Sequence, residues 1–182
     1  LLALSVILGS CKNESQEKKE VTNPTQDEAV LESNKGQAFI EDEASTPNIL
    51  QIALKSSDHS TLVAAVQAAE LENALVNAGP LMVFAPTNAA FDALPPGTVE
   101  DLLKPENKDA LANILKYHVT PGNYSKDFLK NFKKLGQANN QNVAVEVKDN
   151  EVYVGGAKII ASVSAGNGIV HVVDKVILPP TQ

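Results

Sequence analysis

The chain offers few side chains able to do chemistry. Its histidines are His59, His118 and His171, and its one cysteine is Cys11. No two histidines stand at a metal-ligand spacing, and no Asp or Glu cluster accompanies them, so no metal site is expected. His118 falls on one helical face with Leu111 and Leu115, which predicts a packed histidine donating to a backbone carbonyl. His171 lies in a β run, in phase with Ile169 and Val173, and also reads as structural. Serine catalysis would need a Gly-x-Ser-x-Gly elbow or a comparable constellation. None is present: "GSC" belongs to an N-terminal apolar run and "SVSAGNG" is turn chemistry. "VGGAK" lacks the spacing and the following helix of a phosphate loop. Glu100 and Asp101 sit in the first turn of a helix, where the helix dipole already accounts for them. The expectation is therefore a non-enzyme with no cofactor.

Cys11 is explained by its surroundings. "LLALSVILGSC" is an apolar run followed by Gly9-Ser10 and then Cys11. The run is too short to span a bilayer but suits the apolar part of a secretion signal. It begins at Leu1 with no Met and no basic leader, so it reads as a signal truncated at its start. Leu8-Gly9-Ser10-Cys11 resembles the lipobox of bacterial lipoproteins. That resemblance implies cleavage before Cys11, lipidation there, and stable anchoring to membrane lipid by several acyl chains. Asn123-Tyr124-Ser125 is formally a glycosylation sequon, but the lipobox points to bacteria and the sequon is discounted.

The elements that position the remaining residues follow from texture. From Lys12 to Thr46 there are four Lys against nine acids, a net of −5, in a segment rich in Gln, Ser and Asn. Such a segment buries too little surface to offset its ordering entropy. It reads as an acidic tether, with a short helix compatible with Ala29 to Phe39. The expected organisation is thus signal 1–10, lipidated tether 11–46 and folded domain 47–182. All 15 basic residues are Lys, and the whole chain carries −7. A nucleic-acid partner is not expected, because phosphate binding needs clustered positive charge.

Within the domain, Ile49, Ile52 and Ala53 predict one helix. Leu62, Val66, Ala69, Leu71 and Leu75 predict a second, capped by Ser60 or Thr61 and ended by Gly79-Pro80. Leu81 to Ala85 reads as a buried strand. Thr98 is expected to cap "VEDLL", and "PENKDALANILKYH" is a further helix. The last third changes to period two. "VAVEVK" and "EVYV" form a hairpin about Asp149-Asn150, "AKIIASVS" is a strand, Asn167-Gly168 is a turn, and "IVHVVDKVILPP" is a long closing strand. Helices first and antiparallel strands last argue an α+β fold. Between them "VFAPTNAAF" reads as a structural joint. Pro86 ends the strand, Thr87 caps the next turn, and Asn88 folds back onto nearby backbone.

Three segments together resemble a known family. "LMVFAPTNAAFDALP", "ILKYHVTPG" and "GNGIVHVVDKVILPP" are similar, in order, to the first signature, the central Tyr-His segment and the second signature of fasciclin domains. The resemblance spans about Pro47 to Pro180. It implies two packed β-sheets wedged against several short helices. It implies a structural role for Phe84, Ala85, Pro86, Thr87, Asn88, Phe91, Tyr117, His118, Gly168, His171 and Asp174. The Tyr-His segment is tied to receptor binding in animal members, but Tyr117 and His118 beside Leu115 and Val119 are expected to be buried. Fasciclin domains are mostly extracellular binding modules linked to adhesion, not enzymes. The chain is therefore expected to be lipid-anchored at the bacterial cell envelope, periplasmic or surface-exposed. Its expected partner is an envelope or matrix protein or glycan. The alternative is a carrier of an apolar small molecule, such as a carotenoid or lipid. The aliphatic stretch "AAVQAAELENALVNAG" would then line a groove between helix and sheet.

Overall fold

Helix α1 (Ile49–Lys55) starts with a capping box. The Asn48 side chain accepts from the Gln51 N–H, and the Gln51 side chain accepts from the Asn48 N–H, both at 2.9 Å. Two orphan donors are thereby satisfied reciprocally. The protein is described here by a computed structural model, which covers residues 46–77 and 79–180. The expected signal, Cys11, and the tether with its short helix lie outside the described residues.

The predicted second helix is two. Helix α2 (Ser60–Ala68) and helix α3 (Glu72–Asn77) are separated at Glu70, which takes a left-handed φ of 53°. There the Glu70 N–H donates to the Gln67 carbonyl and the Leu71 N–H to the Val66 carbonyl. This is a Schellman ending, built without the glycine that usually marks one. Neither Ser60 nor Thr61 caps α2, whose first residue is Ser60 itself. After strand β1 (Leu81–Pro86) come helix α4 (Asn88–Asp92) and helix α5 (Thr98–Leu102). Thr98 is not a cap either: left-handed Gly97, at φ 84°, precedes α5 and Thr98 lies in its first turn. Helix α6 (Lys108–Tyr117), strand β2 (Val119–Pro121) and helix α7 (Lys126–Leu129) follow. Among the described residues no helix is long and apolar enough to cross a membrane.

The remaining strands are β3 (Lys134–Gly136), β4 (Asn142–Lys148), β5 (Glu151–Val154), β6 (Ala157–Ala165) and β7 (Gly168–Val173). They join β1 and β2 in the order β2-β1-β7-β6-β5-β4-β3. All neighbouring pairs are antiparallel except β1 with β7, which is parallel. Asp149 and Asn150 form the β4–β5 turn with φ of 49° and 63°, the double left-handed backbone of a tight hairpin. The second hairpin turns at Gly166-Asn167, and Gly168 already belongs to β7. The closing strand stops at Val173, where its partner β1 stops at Pro86. Beyond it the Asp174 N–H still donates to the Lys158 carbonyl at 3.2 Å, and Ile177 donates its N–H to His118 Nε2 at 2.9 Å.

A bulge between Ile159 and Ala161 divides β6. Its start pairs with β5 and its remainder with β7. The two arms of the sheet share one core that holds Met82, Phe84, Val145, Val152, Val154 and Val173. The expected pair of packed sheets is thus realised by one connected sheet whose arms pack on each other. The other face of β1, Leu81, Val83 and Ala85, packs with Val170 beneath Ile49, Leu62, Val66 and Leu115. β1 is consequently buried along its whole length, and the fold is α+β.

Candidate functional site

The joint after β1 holds the first signature in place. Thr87 caps α4, its Oγ1 accepting from the Ala90 N–H at 3.3 Å. Asn88 does not fold back locally. Its Oδ1 accepts from the Thr61 N–H at 3.0 Å, and its Nδ2 donates to the Ser57 carbonyl and Ser60 Oγ at 2.9 and 3.0 Å. Asn88 thus supplies from a distance the cap that α2 lacks. Ala85 and Pro86 are buried, and Phe91 packs half-buried against the helix-side core. Phe84 is fully buried and stacks on the His171 ring at 5.8 Å between centroids.

Among the described glycines, Gly168 has the least room for a side chain. A Cβ there would lie 1.8 Å from the Leu81 carbonyl oxygen. Beside it, Asn167 ties three elements together. Its Oδ1 accepts from the Ile49 N–H at 2.9 Å and its Nδ2 donates to the Leu75 carbonyl at 2.6 Å. By local rules alone Asn167 reads only as a turn residue. Asp174 accepts from the Lys158 N–H at 2.7 Å, closing the start of β6.

Tyr117 and His118 both point inward and satisfy the backbone, not each other. The Tyr117 hydroxyl donates to the Asn142 carbonyl at 3.0 Å, and burial raises its pKa. His118 Nδ1 donates to the Ile114 carbonyl at 2.9 Å, so its Nε2 is the acceptor for Ile177. That pattern is the neutral imidazole, and burial pushes its pKa down to about 4. Among the described residues no group of three metal-ligating side chains forms.

One serine does meet a histidine. His171 Nε2 donates to the Tyr124 carbonyl at 2.9 Å, which leaves Nδ1 to accept from Ser162 Oγ at 2.7 Å. The pair is unlike a hydrolytic one. His171 is fully buried, its orienting partner is a carbonyl and not a carboxylate, and burial lowers its pKa. Taking the serine proton would place an imidazolium in the apolar core. Ser162 also sits in a regular ladder opposite His171, away from any strand-to-helix elbow.

Two features can meet a ligand. The first is an aromatic cluster absent from the sequence-based expectations. Tyr124, Phe128 and Phe132 contact one another with centroids 5.2 to 5.6 Å apart. Phe128 is 50% exposed. Ser125 caps α7 by accepting from the Phe128 N–H. Left-handed Gly122 leaves room for the Tyr124 ring, which a Cβ there would meet at 2.8 Å. The i, i+4, i+8 spacing of the three rings was the available signal. Lys126–Glu151 and Lys130–Asp127 ion pairs flank them. The second feature is an apolar cavity of about 210 Å³ between the helices and β1. Leu62, Leu71, Leu75, Leu81, Val83 and Leu115 line it, with neutral His118 at one wall. Leu71 and Leu75 come from the stretch expected to line such a groove.

Comparison with known proteins adds an independent line. The family model described as Fasciclin domain matches residues 57–179. Protein sll1483 of Synechocystis sp. is 46% identical over 160 residues, which cover 86% of this chain and 88% of that protein. The cell surface glycolipoprotein MPB83 of Mycobacterium bovis is 36% identical over 107 residues, 59% of this chain and 47% of that one. In structure, a FAS1 domain pair from the insect cell adhesion molecule fasciclin I superposes with a TM-score of 0.50 at 21% identity. That match covers 64% of this chain and 44% of the insect one, and it concerns the fold alone.

Proposed function

The chain belongs to the fasciclin domain family, and from that premise we propose that it is a non-enzymatic binding module of the cell envelope. Fasciclin domains occur in adhesion-related proteins, the insect molecule above among them. In this reading the domain stands outside the cytoplasm, anchored through lipid on Cys11, and contacts an envelope or matrix protein or glycan. A relative named as a cell surface glycolipoprotein supports that location. The carrying observation is the Tyr124–Phe128–Phe132 cluster with its exposed Phe128. A rigid aromatic ring held half in water, as Phe128 is on the partly buried Tyr124 and Phe132, is a common anchor of protein interfaces. The test is attachment of beads coated with the full chain to envelopes and matrix from the source bacterium. Phe128→Ala should reduce attachment at least fivefold with an unchanged melting temperature. Equal attachment would remove this surface from the reading.

The cavity favours a second reading, a carrier of an apolar small molecule such as a carotenoid or lipid. An apolar cavity of about 150 Å³ accepts benzene, so 210 Å³ accepts a modest aliphatic group. A carotenoid would leave most of its length outside. Native mass spectrometry of protein isolated from its own membrane tests this reading. Extra mass that disappears on denaturation supports a carrier, and a bare domain mass speaks against one.

A further inference from the structure

A strand with an unpaired edge is a template for another strand, and proteins blunt such edges by shortness, proline or charge. Two edges of this sheet are blunted in those ways. β2 is three residues long and ends in Pro121. β3 is three residues long, with Lys133 and Lys134 at its start. β6 is different. β5 pairs with it only at Ala157 and Lys158, whereas β7 pairs with it as far as Ala165. Residues 160–165 therefore keep one side open, and among the described residues no backbone bond crosses to that side. Ile160 is 51% exposed and Val163 is 41% exposed.

Among the described residues no proline or charge blunts this edge, and only at its end does the Gly166 N–H donate to the Pro47 carbonyl, at 2.9 Å. From Ile159 to Val173 the chain has no Asp, Glu or Lys, although its net charge is −7. A strip without charged side chains brings no like charges face to face when two copies approach along it. The open segment also reads the same in both directions: Ala161-Ser162-Val163-Ser164-Ala165. Antiparallel pairing about a two-fold axis sets Val163 against itself, Ser162 against Ser164 and Ala161 against Ala165. Such a contact is self-complementary, as a symmetric dimer requires. Facing hydroxyls can bond across it, because Ser162 Oγ keeps its lone pairs after donating to His171.

We propose that residues 160–165 of β6 form a self-association edge, to which a second copy of this chain adds its own β6 antiparallel and joins two sheets into one. The site is distinct from the Phe128 surface, and its success or failure leaves that reading intact.

Sedimentation velocity of the full chain over a concentration series tests it. The expected result is a reversible dimer with a Kd on the order of 10–100 µM, since five residues a side make a small interface. Val163→Lys should weaken the dimer at least tenfold, and Phe128→Ala should not change it. In a Cys11→Ser background, Val163→Cys should give a disulfide-linked dimer, because residues facing across an antiparallel pair have Cα atoms about 4.5–5.5 Å apart. Leu54→Cys, 40% exposed elsewhere, should cross-link far more slowly. A monomer at every concentration, including one in which the chain's own preceding residues fill the edge, overturns the proposal. So does a dimer indifferent to Val163→Lys, or a Val163→Cys that cross-links no faster than Leu54→Cys.

Discussion

The two faces of β1 are packed to different standards. Toward the sheet, Met82 and Phe84 meet Val152, Val154 and Val173, all fully buried. Toward the helices, Leu81, Val83 and Ala85 are also buried, yet a cavity of about 210 Å³ opens beside them. The difference lies in what covers each face. A strand layer presents side chains at a regular two-residue repeat and interdigitates closely. On the other face, α2 and α3 are short and change direction at Glu70, so Leu62, Leu71 and Leu75 arrive from different angles. Close packing gives the domain its unique structure on one side. Imperfect coverage leaves room for a guest on the other.

The largest effect should come where the two faces share a backbone. Gly168→Ala puts a methyl 1.8 Å from the Leu81 carbonyl oxygen. Backbone cannot yield as a side-chain tip can, so β1 and β7 must separate. A loss of more than about 4 kcal/mol is expected, read as no cooperative unfolding transition. A normal melt would mean that the contact relaxes cheaply.

Acid should act next, from the helix side. His118 is neutral in the folded protein, with its pKa lowered to about 4. The unfolded chain binds a proton there below about 6.5. Stability is therefore full above about pH 6.5 and falls as pH drops toward 4, by roughly 3 kcal/mol at most. His59 and His171, also lowered by burial, add in the same direction. Urea midpoints from pH 7 to 4 would show the slope, and His118→Gln should make it shallower. An unchanged slope would assign it to the other groups.

Overfilling tests the packing contrast itself. Val154→Ile enters a closed core and should cost about 1–3 kcal/mol. Val83→Ile enters the cavity wall and should be neutral or stabilise by up to about 1 kcal/mol. Equal penalties in denaturant titrations would erase the distinction between the faces. The smallest effect should be at Asn88→Ala, which removes the remote cap of α2 and should cost about 1 kcal/mol. Loss confined to hydrogen-exchange protection at Thr61 to Val63 would locate it.

Legibility followed the range of the interactions. Thr87 as a cap and Asp149-Asn150 as a turn were readable because each acts on its own neighbours. Asn88 and Asn167 were misjudged because their partners lie 27 and 118 residues away. The break at Glu70 was hidden because the apolar spacing runs through it without a Gly or Pro. Tyr124, Phe128 and Phe132 carried a readable spacing, but no local rule says that Phe128 stays exposed while Tyr124 and Phe132 pack against the core. Of the candidate residues, Tyr117, His118 and His171 were expected inside from their apolar neighbours, and they lie there.

By itself the sequence determined the type of the longer elements, the α+β class and the family, because periodicity, caps, turns and ordered signatures are local properties of the chain. Only the tertiary structure decided that β1 runs parallel to β7 and that Asn88 caps another helix. It also decided that a cavity opens on one face of β1 and that, among the described residues, residues 160–165 have a ladder partner on one side only. Each of these depends on which distant segments share a boundary, and the chain's local energetics leave that choice to the packing of the whole.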